Sequence, residues 1–408
     1  MALTTVSSER LSTNVKNTNF TAAEKQDLTD DIKPLLGSSG GGNKNLIING
    51  AMNVAQRATS ETGVAANGYS TVDRFAMYQS GTDAYPSTAQ ADIASGTTPY
   101  TNGFRKSFKI TNGNQTSGGQ AADQLYISHK IEAQNMATSG WNYTSASSYV
   151  TLSFYVKSSV AQNFYGYLKV NDGTTQNYPF ETGSLTADTW TKITKTIPGN
   201  SNLQFDTDTE TNRVSAGVEF VVGLFFGTDH TGTITLNQWG AWSSTNRLPD
   251  YGTSNDDWYE TNGATFELTG VQLEVSSVAT DFEHLSFAQD LHLCNRYYYD
   301  VLGPSPETDF AFAVGGKYNS SLNFCTVNFP AQMRAVPTLE SSTTTDSFYK
   351  IINGGVDNYA AHAMSKGGRT GARIYPSTGN DDVGSNGQSV VLHANNTAAC
   401  QLRFNAEL

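Results

Sequence analysis

Charge is scarce in this chain: only 15% of its 408 residues are Asp, Glu, Lys or Arg, and no basic run occurs anywhere. The formal net charge is −12, so most of the surface opposes phosphate backbones and anionic membranes, and nucleic acid is not an expected partner. No apolar segment approaches the roughly 18 to 20 residues that cross a bilayer, so membrane insertion is not expected. The stretch "MALTTVSSER" has neither the basic nor the apolar part of a signal peptide, which points to synthesis in the cytoplasm without export. Cysteines number three, Cys294, Cys325 and Cys400; an odd count at long spacings argues against a disulfide framework and for small buried apolar residues. His129, His230, His284, His292, His362 and His393 show no metal-ligand spacing, and no G-x-S-x-G nucleophile motif occurs. Local chemistry therefore offers no catalytic or cofactor signal, and an enzyme is not expected.

What the sequence does have is Gly, Ser, Thr and Asn in abundance, with 20 Tyr and 20 Phe. That mixture suits many short strands joined by polar turns, and the length suggests two or three domains. The first periodic segment is "TAAEKQDLTDDIKPLLG", where Thr21 and Glu24 form a capping-box pair and Leu28, Ile32, Leu35 and Leu36 make an apolar stripe. A single short helix cannot bury its own stripe, so these four residues are read as a docking face for sister chains or another protein, with a frayed terminus as the alternative. The Gly/Ser segment 37–43 follows as a hinge.

Period two begins at "NLIINGAMNVAQR". In "YVTLSFYVK", Val150, Leu152, Phe154 and Val156 point one way while Thr151, Ser153, Tyr155 and Lys157 point the other. "VEFVVGLFFG" is apolar on both faces and reads as a central strand, and Trp190 heads another strand as a core plug. In "ATFELTGVQLEV" the apolar phase shifts at Gly270, as a β-bulge would make it. Ser286 and Gln289 then form a second capping box, ahead of a helical face of Phe287, Leu291, Cys294 and Tyr298.

The ordered pieces "NLIINGAMNVAQR", "GYSTVDRFAMY", "VTLSFYVKSS", "DTWTKITKTIPG" and "FELTGVQLEVSSVATDFEHLSFAQDLHLCNRYYY" resemble the tail-fibre-like structural proteins of podoviruses and marine phages. The resemblance covers roughly residues 45 to 300 and departs at Leu285, where the family usually has an arginine. "FPAQMRAVPTLE", residues 329 to 340, is similar to the segment opening the terminal head of many phage fibres. The resemblance implies a virion-surface protein, usually homotrimeric, with an N-terminal attachment segment, a body like a carbohydrate-binding-module jelly roll, and a distal receptor-contacting domain. Together the two readings give an all-β protein: a helical attachment arm and hinge over 1–43, a jelly-roll β-sandwich over 44–285, a helical joint over 286–300 and a smaller C-terminal β head over 301–408. The expected function is a non-enzymatic tail fibre, with a capsid fibre or decoration protein, or a virion-bound polysaccharide depolymerase, as alternatives. Expected partners are two copies of itself, other virion proteins and a host cell-surface glycan.

Candidate binding residues fall in two groups. Trp239, Trp242, Trp258 and Tyr259, with Tyr251 among them, sit in a turn-rich stretch where aromatic faces could stack on pyranose rings; interstrand packing or trimer contact is the favoured reading. Residues 341 to 388 read as polar loops presenting Lys366, Arg369 and Arg373, cations able to meet an acidic glycan. Asp206, Asp208 and Glu210 alternate as in a calcium loop, but Thr211 stands where an EF-hand needs Gly, leaving a looser calcium site or a solvated acidic loop. Asp256 and Asp257 are adjacent acids in a polar loop, a pattern that is usually solvated. No cofactor is expected.

Overall fold

The computed structural model describes residues 44–205, 214–251, 257–303, 309–319, 322–342, 348–377, 384–395 and 400–408. The helix expected over 21–36, with Leu28, Ile32, Leu35 and Leu36, lies outside these residues, as do the hinge, Asp206, Asp208, Glu210 and Asp256.

Alternating sequence becomes strand throughout. The first part of the chain forms β1 (Ser60–Glu61), β2 (Ala76–Ser80), β3 (Ser87–Asp92), β4 (Lys106–Thr111), β5 (Gln124–Glu132), β6 (Tyr149–Ser158), β7 (Asn163–Val170), β8 (Gln176–Ser184), β9 (Thr191–Pro198), β10 (Ala216–Phe226), β11 (Gly240–Ala241) and β12 (Thr265–Glu274). They make two six-stranded antiparallel sheets, ordered β1-β3-β4-β12-β6-β9 and β11-β8-β7-β10-β5-β2. The sheets pack face to face as a jelly-roll sandwich. Phe154 of β6 meets Phe220 of β10 at 5.5 Å between ring centres, and Phe266 of β12 meets Phe164 of β7 at 4.9 Å. Val150, Leu152, Phe154 and Val156 are all fully buried in that core. β10 lies between β7 and β5 and is covered on both sides, as its two apolar faces require.

Two local readings differ from the structure. Trp190 is not a core plug. The core-facing positions of β9 are Ile193 and Ile197, and Trp190 has the opposite phase, so it rests half-buried outside the sheet with Lys157 Nζ 5.3 Å above its ring. Thr151, Ser153 and Tyr155 were read as a polar outer face, yet they are buried. The chain after β12 folds back over them, and Thr151 donates to the Ser276 carbonyl at 2.9 Å.

The phase change at Gly270 is a bulge: the β12–β6 register slips between Thr269 and Gln272, and Gly270 has φ +61°. Four short helices punctuate the chain among the described residues, α1 (Thr98–Thr101), α2 (Ala133–Ala137), α3 (Asp257–Glu260) and α4 (Phe287–Cys294). α4 carries the reciprocal Ser286–Gln289 capping box.

Beyond α4 come β13 (Tyr298–Asp300), β14 (Ala311–Asn319), β15 (Leu322–Asn328), β16 (Thr338–Ser341), β17 (Tyr349–Ile352), β18 (Val356–Tyr359), β19 (His362–Gly367), β20 (Gly371–Pro376), β21 (Ser389–Ala394) and β22 (Leu402–Asn405). They form a three-stranded sheet, β13-β22-β16, and a seven-stranded sheet, β18-β17-β21-β14-β15-β20-β19. Much of the segment read as polar loops, 341 to 388, is therefore strand. Its apolar residues are few because only one face is buried, and Tyr349, Ile351, Tyr359, Ala372 and Ile374 supply that face.

Candidate functional site

The quoted sequence motifs converge on the joint between the two domains. α4 delivers "NRYYYD" against the jelly roll, where Arg296 makes a two-pronged contact with Glu132, Nε to Oε1 at 2.6 Å and Nη2 to Oε2 at 2.7 Å. Tyr297 donates its hydroxyl to the same carboxylate at 2.6 Å. From "GYSTVDRFAMY", the fully buried Arg74 pairs with Glu407, lies 3.5 Å above the Tyr297 ring and donates to the Lys130 carbonyl at 2.7 Å. From "NVAQR", Arg57 stacks 3.5 Å above Tyr298 and reaches Glu407 at 3.3 Å. Arg334, from "FPAQMRAVPTLE", holds the last strand's exit by donating to the carbonyls of Ala406 at 2.7 Å and Glu407 at 2.8 Å.

Asp73 is buried beneath this layer, accepting from Gln56 N at 2.9 Å and Gln56 Nε2 at 2.6 Å. Burial pushes its carboxyl up to about 6, against the opposing pull of Arg57 and Gln56. The joint is thus a layered stack of arginine, tyrosine and carboxylate, in which Arg57, Arg74 and Arg296 each meet a carboxylate and Arg334 meets backbone carbonyls.

Beside the joint lies the outer face of the second sheet. Alternation that sends Phe164, Leu168 and Val170 inward turns Tyr165, Tyr167 and Lys169 outward; on β5 the outward residues are Tyr126, Ser128 and Lys130. Strand register then sets Lys130, Glu219 and Lys169 side by side across β5, β10 and β7. Ser128 donates to Glu219 at 2.8 Å, fixing the carboxylate between the lysines. Two rungs away on the same face, Tyr78, Tyr126 and Phe226 stack in series, with ring centres 5.1 and 5.3 Å apart and planes 16° and 20° from parallel.

The loop around β11 closes the other side. Trp242 lies 5.3 Å from Tyr167, with Lys169 Nζ 4.4 Å over its ring, and Arg247 bonds Gln124 at 2.8 Å. Burial pushes the Tyr126 and Tyr167 hydroxyls up and lowers Lys169. Tyr167 and Phe226 are themselves buried under this loop. The surface left at the face belongs to the half-buried Tyr78, Tyr126 and Trp242 with Lys130, Glu219 and Lys169. These are ring edges and faces beside donors and acceptors of both charge signs, which suit a pyranose and its hydroxyls.

The sequence candidates are divided by the fold. Trp258 and Tyr259 of α3 are fully buried; Trp258 Nε1 donates to the Thr265 carbonyl at 3.0 Å, and Tyr259 stacks 4.2 Å from Phe225. Tyr251 is also buried, its hydroxyl donating to the Gly223 carbonyl at 3.1 Å. Trp239 is half-buried and donates to the Pro198 carbonyl at 2.7 Å. Of the four named aromatics, Trp242 alone joins the sheet face. In the C-terminal domain Lys366 and Arg373 sit opposite each other on β19 and β20, with Arg373 held by Ser365 at 2.7 Å and stacked 4.2 Å over Phe324. Arg369 turns back to the Met333 carbonyl at 2.9 Å.

Sequence reasoning missed Tyr78, Tyr126, Tyr167, Lys130, Lys169 and Glu219. The signal was present in "QLYISHKIE" and "NFYGYLKV", whose outward phases alternate aromatic and charged residues. Among the described residues no group of three His, Cys, Asp or Glu side chains could hold a metal ion.

No family model matches the chain, and no curated protein matches it by sequence. Solved structures do. The enzymatically active domain of tailspike protein 4 from bacteriophage CBA120 is similar at 9% identity and TM-score 0.28, over 57% of this chain and 21% of that one. This chain thus spans about a fifth of the tailspike chain's length. The carbohydrate-binding module TmCBM61, in complex with β-1,4-galactotriose, is similar at 10% identity and TM-score 0.26, over 57% of this chain and 100% of that one. The family 11 carbohydrate-binding module of Clostridium thermocellum, in complex with a β-1,3-1,4-mixed-linked tetrasaccharide, is similar at 10% identity and TM-score 0.23, over 55% of this chain and 97% of that one. The assignment of the sandwich rests on the sheet pairings described above.

Proposed function

We propose that this protein is a non-enzymatic virion-surface protein, a tail fibre that joins the particle through residues 1–43 and binds a host-surface glycan. The observation that carries the glycan reading is the outer face of the second sheet. There the in-register Lys130, Glu219 and Lys169 lie beside stacked Tyr78 and Tyr126 and beneath Trp242. A binding groove for neutral sugars needs that pairing of ring faces with hydrogen-bonding charges. The tail assignment is supported by the ordered motifs resembling phage tail-fibre-like proteins. A head fibre would carry the same modules, and labelling the chain in intact virions distinguishes the two.

A second contact surface is favoured by the β19–β20 hairpin. Lys366 is exposed there and pairs in register with Arg373, giving a cationic edge that fits an acidic glycan. The deciding experiment measures binding of host polysaccharide to wild type, Tyr126→Ala, Trp242→Ala and the double variant Lys366→Ala/Arg373→Ala. Loss in the first two with thermal stability retained supports the sheet face. Loss only in the double variant moves recognition to the C-terminal domain. Cleavage of the polysaccharide by wild type would overturn the non-enzymatic reading.

A further inference from the structure

A second concavity, of about 460 Å³, lies on the opposite side of the jelly roll, outside the first sheet. Its rings come from three places in the chain: Phe104 after α1, Tyr155 of β6, and Phe282 with His284 from the segment before α4. Phe104 is packed edge-on against Phe282 at 4.8 Å and lies 4.9 Å from His284. Two glycines with positive φ let these rings seat on bare backbone. A Cβ on Gly103 would stand 2.9 Å from the His284 ring, and one on Gly270 2.7 Å from the Phe104 ring. The bulge at Gly270 thereby helps shape the pocket.

Polar groups surround the rings. Tyr155 accepts from Asn102 Nδ2 at 2.6 Å, which leaves its own O–H to donate. His284 donates through Nε2 to the Asn102 carbonyl at 2.8 Å, leaving Nδ1 as an acceptor. Ser153 is 4% exposed, lines the pocket and has no side-chain hydrogen bond among the described residues. Thr101 and Thr280 also line it, with one cation, Lys192, and one anion, Asp281.

We infer that this pocket binds a neutral saccharide of one or two rings. An anion would meet Asp281 and a cation Lys192, whereas an uncharged polyol can accept from Lys192, Ser153 and Tyr155 and donate to Asp281 and the His284 ring. Its apolar C–H face rests on the aromatic rings, and the volume suits a ligand of that size. The pocket uses none of the residues of the second sheet's face, so the two surfaces would grip separate sugars on opposite sides of the sandwich.

The test titrates the full chain with methyl glycosides of glucose, galactose, rhamnose and N-acetylglucosamine and follows side-chain resonances by NMR. For at least one sugar the His284 and Phe282 ring signals move with saturable dependence. Lys192→Ala and Asp281→Ala, both at exposed positions, weaken that sugar about tenfold, as expected for losing a charged hydrogen-bond partner. Signals that move only at Tyr126 and Trp242 would assign the sugar to the second sheet's face and overturn the pocket, as would a response unchanged in both pocket variants. Silence at His284 and Phe282 with every sugar also overturns it, while leaving the sheet-face reading to its own polysaccharide assay.

Discussion

Arg74 and Glu407 form a buried ion pair that ties the jelly roll to the end of the last strand, across 333 positions of sequence. The guanidinium is fully shielded from water and the carboxylate nearly so, while Tyr297 covers the face of the arginine. Removing one partner leaves the other charged, buried and unmatched, a situation that costs about 3 to 5 kcal/mol. Glu407→Ala is therefore expected to lower the unfolding free energy by that order in denaturant titrations. Glu407→Gln, which keeps a hydrogen-bond acceptor, is expected to lose less. Equal, negligible losses for both variants would mean that the joint does not depend on this pair.

The core position of Trp258 gives a contrasting expectation. Its indole is fully enclosed against Phe164 and donates to the Thr265 carbonyl, so Trp258→Ala leaves a large cavity and costs about 3 to 5 kcal/mol. Trp242 is half-buried at the sheet face, so Trp242→Ala is expected to cost much less stability and to lose glycan binding. Calorimetry paired with a binding assay reads both effects, and equal stability losses would remove the distinction.

His362 is expected to make the C-terminal domain sensitive to acid. It is enclosed by Tyr349 and Tyr359, with Tyr359 Oη 2.8 Å from Nε2, and burial depresses its pKa to about 3. The unfolded chain takes up this proton near pH 6.5 but the folded one only near 3. Its stabilising contribution is therefore present above pH 6.5 and lost as pH falls toward 3, with a slope of up to about 1.4 kcal/mol per pH unit. Asp73 acts in the opposite sense: its pKa is raised to about 6, so its contribution is present below about 4 and lost as pH rises through 6. Comparing wild type with His362→Gln isolates the histidine. The variant is expected to lose less stability between pH 6.5 and 4, and parallel curves would contradict the assignment.

Lys44 begins the described chain, and its ammonium group reaches Thr280 and the Asp281 carbonyl while Asn45 bonds Glu283 at 2.7 Å. The body is thus secured from residue 44 onward. Deleting residues 1–43 is expected to leave the melting temperature unchanged and to abolish incorporation into particles. Normal occupancy of the truncated chain in virions would end the attachment-arm proposal.

Val314, Tyr318 and Val356 are 62, 68 and 61% exposed on the C-terminal sheet. Such apolar exposure suits contact with further copies of the chain, and the expectation tested is the homotrimer that the phage-fibre resemblance implies. Light scattering is expected to give three times the chain mass, reduced to one by Val314→Asp together with Tyr318→Asp. A monomeric wild type at micromolar concentration would contradict the trimer.

Period-two alternation determined most of the strands before any tertiary information, because a half-buried strand must place every second side chain in the core. The same local logic marked the Ser286–Gln289 cap and the Gly270 bulge, where hydrogen bonding and φ are settled within a few residues. Only the tertiary structure decided which aromatics face outward. Trp258 and Trp242 look alike in sequence, yet one plugs the core and the other lines a face, since that choice depends on the loop's docking against β7 and β8. The face itself needs register across three strands to set Glu219 between Lys130 and Lys169. The joint needs Arg74 to meet Glu407 at the far end of the chain. Neither pairing has a local sequence signal, because long-range contacts are fixed by the packing of whole sheets rather than by the residues on either side.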